Sequence, residues 1–180
     1  NIFYGDSFSN KLEDINNSKI GCHILGYPVK DAKRYGVIEF NNEGNVIAIE
    51  EKPNNPKSRY AVTGLYFYDN TVTERVKSLR PSERGELEIT DLNNLYLKDN
   101  LLKVKLLSRG TAWFDTGTHE SLHEASSFIR SVENRQDMKI GCPEEISWRN
   151  GWISKDDLIK LAASLIKSDY GEYLLRIIGT

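Results

Sequence analysis

Polar residues that could bind a ligand recur where the predicted strands of this chain end. They are Tyr35 with Gly36, Glu51 with Lys52, the segment Arg84–Glu86, and Asp115. Carboxylates and free backbone amides suit the hydroxyls of a sugar, whereas Lys and Arg suit a phosphate. A hard Mg²⁺ ion would take Asp115 together with phosphate oxygens. These residue types therefore favour a sugar-phosphate site, although surface ion pairs, turns and strand-end caps explain each residue equally simply.

Asp115 has the most informative position of these residues. The alternating run Leu102–Leu107 predicts a half-buried strand before it, and the apolar spacing from Leu122 to Val132 predicts an amphipathic helix after it. Ligands of open α/β sheets gather where strands end. The alternative is that Asp115 only accepts hydrogen bonds from turn amides.

The elements that would position the other candidates are predicted by hydrophobic patterning. A hairpin of Val37–Phe40 and Val46–Ile49 leads the chain directly to Glu51 and Lys52. The continuous apolar run Tyr60–Tyr68 predicts a strand buried on both faces. An earlier strand is expected over Lys19–Leu25, ended by Gly26–Pro28.

Helical spacing appears in the remaining segments. Short helices are predicted around residues 8–15 and 71–79, a longer one through Leu97, and a helix that begins after Ser154 as its N-cap. The terminal segment Tyr170–Ile178 predicts a last helix. The expected fold class is α/β, a mixed sheet flanked by helices, with a helical C-terminal tail. We assign 1–136 to a sugar-phosphate-binding portion and 137–180 to that tail.

Composition limits the classes of partner. The 180 residues are 39% hydrophobic and 28% charged with a net charge of −2, so neither nucleic acid nor a membrane is an expected partner. Cys22 and Cys142 lack the spacing of a metal site, which favours a reduced, cytoplasmic setting. His23 is expected to be a core or surface residue rather than a catalytic one. Glycine loops of the GxxxxGK[ST] and GxGxxG types do not occur in the sequence.

An ordered set of segments carries a family resemblance along the whole chain. These segments are Asn1–Gly5, Tyr35–Val37, Ile49–Pro53, Tyr60–Asp69, Arg84–Asp91, Trp113–Thr118, Gly141–Ile146 and Gly151–Ile153. Together they resemble the bacterial glucose-1-phosphate thymidylyltransferases, of the sugar nucleotidylyltransferase family. The resemblance implies a Rossmann-like nucleotide-diphospho-sugar transferase fold. It also implies synthesis of dTDP-glucose and pyrophosphate from dTTP and glucose 1-phosphate with Mg²⁺.

The resemblance assigns roles to single residues. Lys52 and Arg84 would hold the phosphate of glucose 1-phosphate and act as the catalytic cations, and Asp115 would be a Mg²⁺ ligand. Residues expected to line the glucose are Tyr35, Gly36, Glu51 and Val62, with Glu86 and Trp113 as neighbours.

A second, regulatory nucleotide-sugar pocket is implied as well, with dTDP-rhamnose as feedback inhibitor. Its matching residues are Tyr4, Gly5, Phe8, Arg109, Cys142, Glu145, Ile146 and Arg149. The two arginines suit a diphosphate and Tyr4 suits base stacking. A homotetramer and a role in dTDP-rhamnose and surface-polysaccharide synthesis also follow from the resemblance.

The departure from the family lies at the start of the chain. The glycine-rich nucleotide loop and an aspartate Mg²⁺ ligand just before Asn1 have no counterpart here, so we expect only the latter part of a family member, inactive alone. The competing hypotheses are a non-catalytic nucleotide-sugar-binding module and a remnant without a role of its own. A uridylyltransferase of the same family is also open, because the base-reading residues would lie before Asn1.

Overall fold

The computed structural model describes residues 1–5, 8–18, 20–82 and 85–179. The chain forms two compact units, Asn1–Thr118 and His119–Thr180. These units divide before an 18-residue helix, His119–Gln136, which the predicted boundary at residue 136 places with the first portion. The functional division at residue 136 stays a prediction. None of the helices in these ranges combines the length and the apolar character that spanning a bilayer requires.

Seven strands in the described part of the first unit form two sheets. They are β1 Ile2–Tyr4, β2 Cys22–Pro28, β3 Gly36–Phe40, β4 Val46–Glu51, β5 Tyr60–Tyr68, β6 Leu102–Leu106 and β7 Ala112–Phe114. The larger sheet has the strand order β4-β3-β5-β2-β6, and the smaller one pairs β1 with β7. Only β2 and β6 are paired in parallel, whereas the other pairs are antiparallel, so the larger sheet is mixed.

Helices cover both faces of the larger sheet. Its helices are α1 Phe8–Asn16, α2 Val72–Lys77 and α3 Ile89–Lys98. Cys22 and Ile24 of β2 pack with Tyr96 of α3, whereas Leu25 packs with Ile15 of α1. Because successive strand residues point to opposite faces, α1 and α3 lie on opposite sides of the sheet. The predicted class, a mixed sheet flanked by helices, is confirmed.

The second unit is helical throughout its described elements. These are α4 His119–Gln136, α5 Pro143–Arg149, α6 Lys155–Ser164 and α7 Asp169–Ile178. The predicted N-cap of α6 is present, because the Ser154 hydroxyl accepts from the Asp157 amide and the Asp157 carboxylate accepts from the Ser154 amide. Leu158 of α6 packs with Leu174 of α7 in a core cluster. The predicted helical tail is therefore a small packed core of its own.

Two strands differ from their predictions. β2 does not end before Gly26 but continues to Pro28, because Tyr27 and Pro28 still pair with β5. A Cβ on Gly26 would lie 2.8 Å from Leu106 Cδ2, so this glycine serves close strand packing rather than a turn. β5 is buried on both faces only over residues 61–63, since Gly64 is exposed and the rest is half-buried.

Candidate functional site

A cavity of about 180 Å³ lies in the first unit, with residues of both sheets in its wall. The larger sheet and the segments beside it supply Arg34, Tyr35, Gly36, Glu51, Val62, Thr63, Gly64, Tyr66, Ile89 and Thr90. The smaller sheet and its ends supply Asn1, Trp113 and Asp115. A cavity of about 510 Å³ at the opposite end of β2 contains none of the predicted site residues. We therefore take the smaller cavity, which predicted site residues line, as the candidate site.

Six of the residues that the sequence predicted meet in this cavity. They are Tyr35, Gly36, Glu51, Val62, Trp113 and Asp115. Strand register accounts for part of this convergence, because Gly36 pairs with Glu51 and the next β3 residue, Val37, pairs with Ala61. The start of β3, the end of β4 and the start of β5 are thus side by side at one end of the sheet.

The Glu51 carboxylate is held in one orientation. The Thr90 hydroxyl donates to Glu51 Oε2 at 2.5 Å, and Lys52 Nζ lies 3.8 Å from Oε1. A Cβ on Gly36 would lie 3.2 Å from Thr90 Oγ1 and 3.4 Å from Glu51 Oε2. The glycine therefore leaves room beside the carboxylate for a ligand hydroxyl.

Lys52 stands at the edge of the cavity rather than in its wall. Its backbone has a φ of 44°, and its amide donates to the Tyr35 carbonyl at 3.0 Å. The side chain is 49% exposed, so its ion pair with Glu51 is weak and the ammonium can reach an anion in solution.

Aromatic rings form another part of the cavity wall. Trp113 is 8% exposed, and its indole Nε1 donates to Asn1 Oδ1 at 3.0 Å. The ring of Tyr35 lies 5.2 Å from that of Trp113, centroid to centroid. Gly64 has a φ of +75°, and a Cβ there would lie 2.9 Å from Asn1 Nδ2. The bare backbone of Gly64 thus allows β5 to approach Asn1.

Two tyrosines at the cavity have raised pKa values because of burial and nearby carboxylates. Burial, together with the Asp115 carboxylate, raises the pKa of Tyr35. Burial and the Glu51 carboxylate raise the pKa of Tyr66 to about 12. Both tyrosines therefore stay protonated near neutral pH and can donate hydrogen bonds.

The described part of the cavity offers few protein ligands to a Mg²⁺ ion. Among the described residues no group of three or more His, Cys, Asp or Glu side chains could hold a metal ion. Mg²⁺ is often bound by one or two carboxylates plus substrate phosphates and water. Asp115, which directly follows β7, fits this mode.

Two other predicted substrate residues are not in the cavity wall. Glu86 is exposed, and its carbonyl accepts from the Ser82 amide at 2.8 Å. Arg84 lies outside the described residues. Their predicted roles stay predictions.

The predicted regulatory residues are divided between the two units. In the first unit Tyr4 pairs with Ala112, a Cβ on Gly5 would lie 2.8 Å from Thr111 Cα, and Arg109 is exposed nearby in the chain. Phe8 instead stacks on Phe3 at 5.2 Å.

The second-unit residues of this group lie on or next to α5. Cys142 is 2% exposed, and its thiol contacts the Tyr170 hydroxyl at 3.0 Å. Glu145 accepts from the Tyr173 hydroxyl and from Arg149 Nε at 2.7 Å. Ile146 is exposed, as is Arg149. The regulatory assignment stays a prediction.

Sequence reasoning did not predict seven residues of the cavity wall as site residues: Asn1, Arg34, Thr63, Gly64, Tyr66, Ile89 and Thr90. All of them except Arg34, which directly precedes Tyr35, lie inside segments that carried the family resemblance, and that resemblance was the only available signal. Nothing in residue type or spacing distinguishes Thr90 from any other threonine near a helix start, because its bond to Glu51 spans 39 positions of the chain.

Comparison with known proteins identifies the family. The sequence model described as nucleotidyl transferase matches residues 1–132. A glucose-1-phosphate thymidylyltransferase of Neisseria meningitidis is 54% identical over 178 residues, 99% of this chain and 62% of that protein. One from Mycobacterium tuberculosis is 48% identical over 178 residues, with the same coverage of each. The chain thus spans less than two thirds of the length of these curated relatives.

Solved structures show the same relationship. A Bacillus anthracis protein provisionally named a glucose-1-phosphate thymidylyltransferase, in complex with a sucrose, is 44% identical with a TM-score of 0.65. The match covers 78% of this chain and 53% of that one. A UDP-glucose pyrophosphorylase shares the fold, at 21% identity and a TM-score of 0.55, over 68% of this chain and 48% of that one. The family model matches more than half of the chain and includes every residue of the cavity wall, so this chain belongs to the nucleotidyl transferase family.

Proposed function

We propose that the protein to which this chain belongs is a glucose-1-phosphate thymidylyltransferase. It makes dTDP-glucose and pyrophosphate from dTTP and glucose 1-phosphate, and the cavity described above binds the glucose 1-phosphate. The single observation that carries this proposal is the meeting of five predicted substrate residues and the predicted Mg²⁺ ligand Asp115 in one cavity, although the sequence separates them widely. The curated relatives that carry this name at 54% and 48% identity support it.

Each residue has a role in binding the sugar. Glu51 accepts hydrogen bonds from sugar hydroxyls, with its orientation fixed by Thr90. Gly36 and Val62 offer backbone groups at one end of the sheet, and Tyr35 and Trp113 form the aromatic wall. A carboxylate for hydroxyls and an ammonium at the edge for phosphate match the two ends of a sugar phosphate.

Nucleotidyl transfer requires little from the protein beyond positioning the reacting groups and neutralising their charge. A phosphate oxygen of glucose 1-phosphate forms a bond to the α-phosphorus of dTTP, and the bond from that phosphorus to the bridging oxygen of pyrophosphate breaks in line. Lys52 and Arg84 neutralise charge on the sugar phosphate and orient it. Phosphoryl transfer is accelerated mainly by such positioning and charge neutralisation.

Mg²⁺ is the metal that suits this chemistry, and Asp115 is its protein ligand in this chain. When bound, the ion neutralises phosphate charge and aligns the reacting groups.

Further proposals concern the intact protein. The regulatory residues bind dTDP-rhamnose as a feedback inhibitor, subunits form a homotetramer, and the enzyme acts in the cytoplasm in dTDP-rhamnose synthesis. These proposals rest on the family resemblance of the sequence. The 180 residues alone, which cover 62% of the first relative, are expected to bind the sugar phosphate without turnover.

The experiment is a pyrophosphate-release assay of the intact protein with glucose 1-phosphate, comparing dTTP with UTP. We expect dTTP to be preferred, and Lys52→Ala to lower the rate by about a hundredfold or more with folding nearly unchanged. Lys57→Ala is the matched control, because this exposed lysine pairs with Glu39 at 3.1 Å on the same sheet. Equal rates for the two variants, or a preference for UTP, would contradict the proposal.

A further inference from the structure

Trp113 is held by three contacts, and one comes from a residue outside the cavity wall. Asn1 accepts from its indole nitrogen, and the Tyr35 ring lies 5.2 Å away. Tyr27 makes the third contact, edge-on to the indole, with a centroid distance of 5.7 Å and an interplanar angle of 69°. This is the edge-to-face geometry that aromatic pairs prefer.

Tyr27 also connects the two sheets that form the cavity. It lies on β2 of the larger sheet and pairs with Ala61, the residue before Val62. Its hydroxyl donates to the Thr111 carbonyl at 3.1 Å, directly before β7 of the smaller sheet. The rest of the side chain packs against the buried cluster of Ile15, Leu25 and Leu107, so Tyr27 has a rigid support.

We infer that Tyr27 is a positioning residue that fixes the distance between the Trp113 wall and the Glu51–Val62 side of the cavity, and so sets which sugar phosphates fit. This inference rests on the proposed function. A binding site must hold its groups to within about 0.5 Å, and the groups that lock the contacting side chains decide whether it does. Because Trp113, Glu51 and Val62 all line the cavity, a moved Trp113 wall changes the selectivity among sugars of equal size.

The test uses the fluorescence of Trp113 to report how firmly its side chain is held. Trp148→Phe and Trp152→Phe, both in the second unit, leave Trp113 as the sole indole among the three tryptophans. In this background we compare Tyr27→Ala, which removes the ring, with Tyr27→Phe, which removes only the hydroxyl. Tyr60→Ala is the matched control, because it breaks an edge-on pair with Phe40 at 5.4 Å and 78° without touching the cavity wall.

Two quantities are measured: acrylamide quenching of Trp113 without ligand, and the dissociation constants for glucose 1-phosphate and galactose 1-phosphate. For Tyr27→Ala we expect quenching to rise about twofold, glucose 1-phosphate binding to weaken about three- to tenfold, and discrimination between the two sugars to fall. Tyr27→Phe loses only the bond to Thr111, so both changes should be smaller than in Tyr27→Ala, and Tyr60→Ala should resemble the parent in quenching and in selectivity.

Unchanged quenching or unchanged selectivity in Tyr27→Ala would overturn the inference, as would an equal change in Tyr60→Ala. Failure of the proposed function looks different, because then the parent binds neither sugar phosphate. In that case the assignment of selectivity to Tyr27 is also overturned, while the quenching comparison still decides whether Tyr27 holds Trp113.

Discussion

The two oxygens of the Glu51 carboxylate have different neighbours. Oε2 accepts from the buried Thr90 hydroxyl, whereas Oε1 faces the half-exposed Lys52 ammonium. The threonine bond is short and charge-assisted, so it restricts rotation of the carboxylate far more than the ion pair does. A ligand hydroxyl therefore meets an acceptor that is already oriented.

Thr90→Val tests this orientation while keeping the shape of the side chain. We expect glucose 1-phosphate to bind about tenfold more weakly, since a hydrogen bond to a charged group contributes about 1.5–3 kcal/mol. Calorimetric titration measures this affinity. Thr71→Val is the control, because Thr71 donates to Asp69 at the same 2.5 Å outside the cavity wall. Equal affinity of the two variants for glucose 1-phosphate would show that Thr90 does not orient Glu51 for binding.

His23 makes the stability of the first unit depend on pH. It is 3% exposed, and its ring nitrogens have no hydrogen-bond partner in the described part of the chain. Burial, then the nearby Lys103 and Lys105, lowers its pKa below the ordinary value of 6.5. The folded state thus binds fewer protons than the unfolded state, so stability is retained above pH 6.5 and lost as pH falls below it.

His23→Phe should remove this acid sensitivity. In the parent we expect the free energy of unfolding to fall by at most about 1.4 kcal/mol per pH unit from this group below pH 6.5. Denaturant titrations at several pH values measure the slope, which should flatten in His23→Phe. The exposed His123 provides a control, His123→Gln. An unchanged slope in His23→Phe would show that other groups cause the acid sensitivity.

At the scale of elements, the register of the strands and one irregularity in the β2–β5 pairing determine which residues line the cavity. The β2–β5 register shifts between Ile24 and Gly26, opposite the segment that contains Gly64. Gly64 there adopts a left-handed backbone and approaches Asn1, whose side chain holds Trp113. At this irregularity β5 therefore comes close to Asn1, the residue directly before β1 of the smaller sheet.

Gly64→Ala and Gly44→Ala separate backbone strain from this close approach. Gly64 and Gly44 have φ values of +75° and +83°, so each alanine costs about 1–2 kcal/mol of stability. Only the Gly64 variant places a methyl group against Asn1, since nothing lies within 4 Å of a Cβ on Gly44. We expect Gly64→Ala alone to weaken glucose 1-phosphate binding, by about fivefold in a fluorescence titration. Similar binding by both would refute the packing role of Gly64.

Local sequence patterns predicted most helices and strands, but they did not predict which of them come together at the cavity. The β3–β4 hairpin, the β5 strand and the Ser154 cap follow from alternation and capping chemistry within a few residues. Thr90 and Tyr27 act across long sequence separations, so no local rule could find them. The continuation of β2 past Gly26 also depends on partners, β5 and β6, that are distant in sequence.

At the scale of the whole molecule, the site and the helical core belong to different units. Every residue of the cavity wall lies in Asn1–Thr118, whereas Leu174 is fully buried in the core of the second unit. Leu174→Ala should lower the free energy of unfolding of that unit by about 2–5 kcal/mol. Below the unfolding temperature we expect unchanged affinity for glucose 1-phosphate. Calorimetric melting and titration of the same sample measure both quantities, and a lost affinity would contradict this separation.

The central claim, a sugar-phosphate site built around Glu51, is tested most directly by titrating glucose 1-phosphate into the 180-residue chain in a calorimeter. We predict saturable binding of one ligand per chain, weakened about tenfold or more by Glu51→Ala. Glu43→Ala, in the exposed turn of the same hairpin, should bind like the parent. No binding by the parent, or equal binding by Glu51→Ala, would contradict the account.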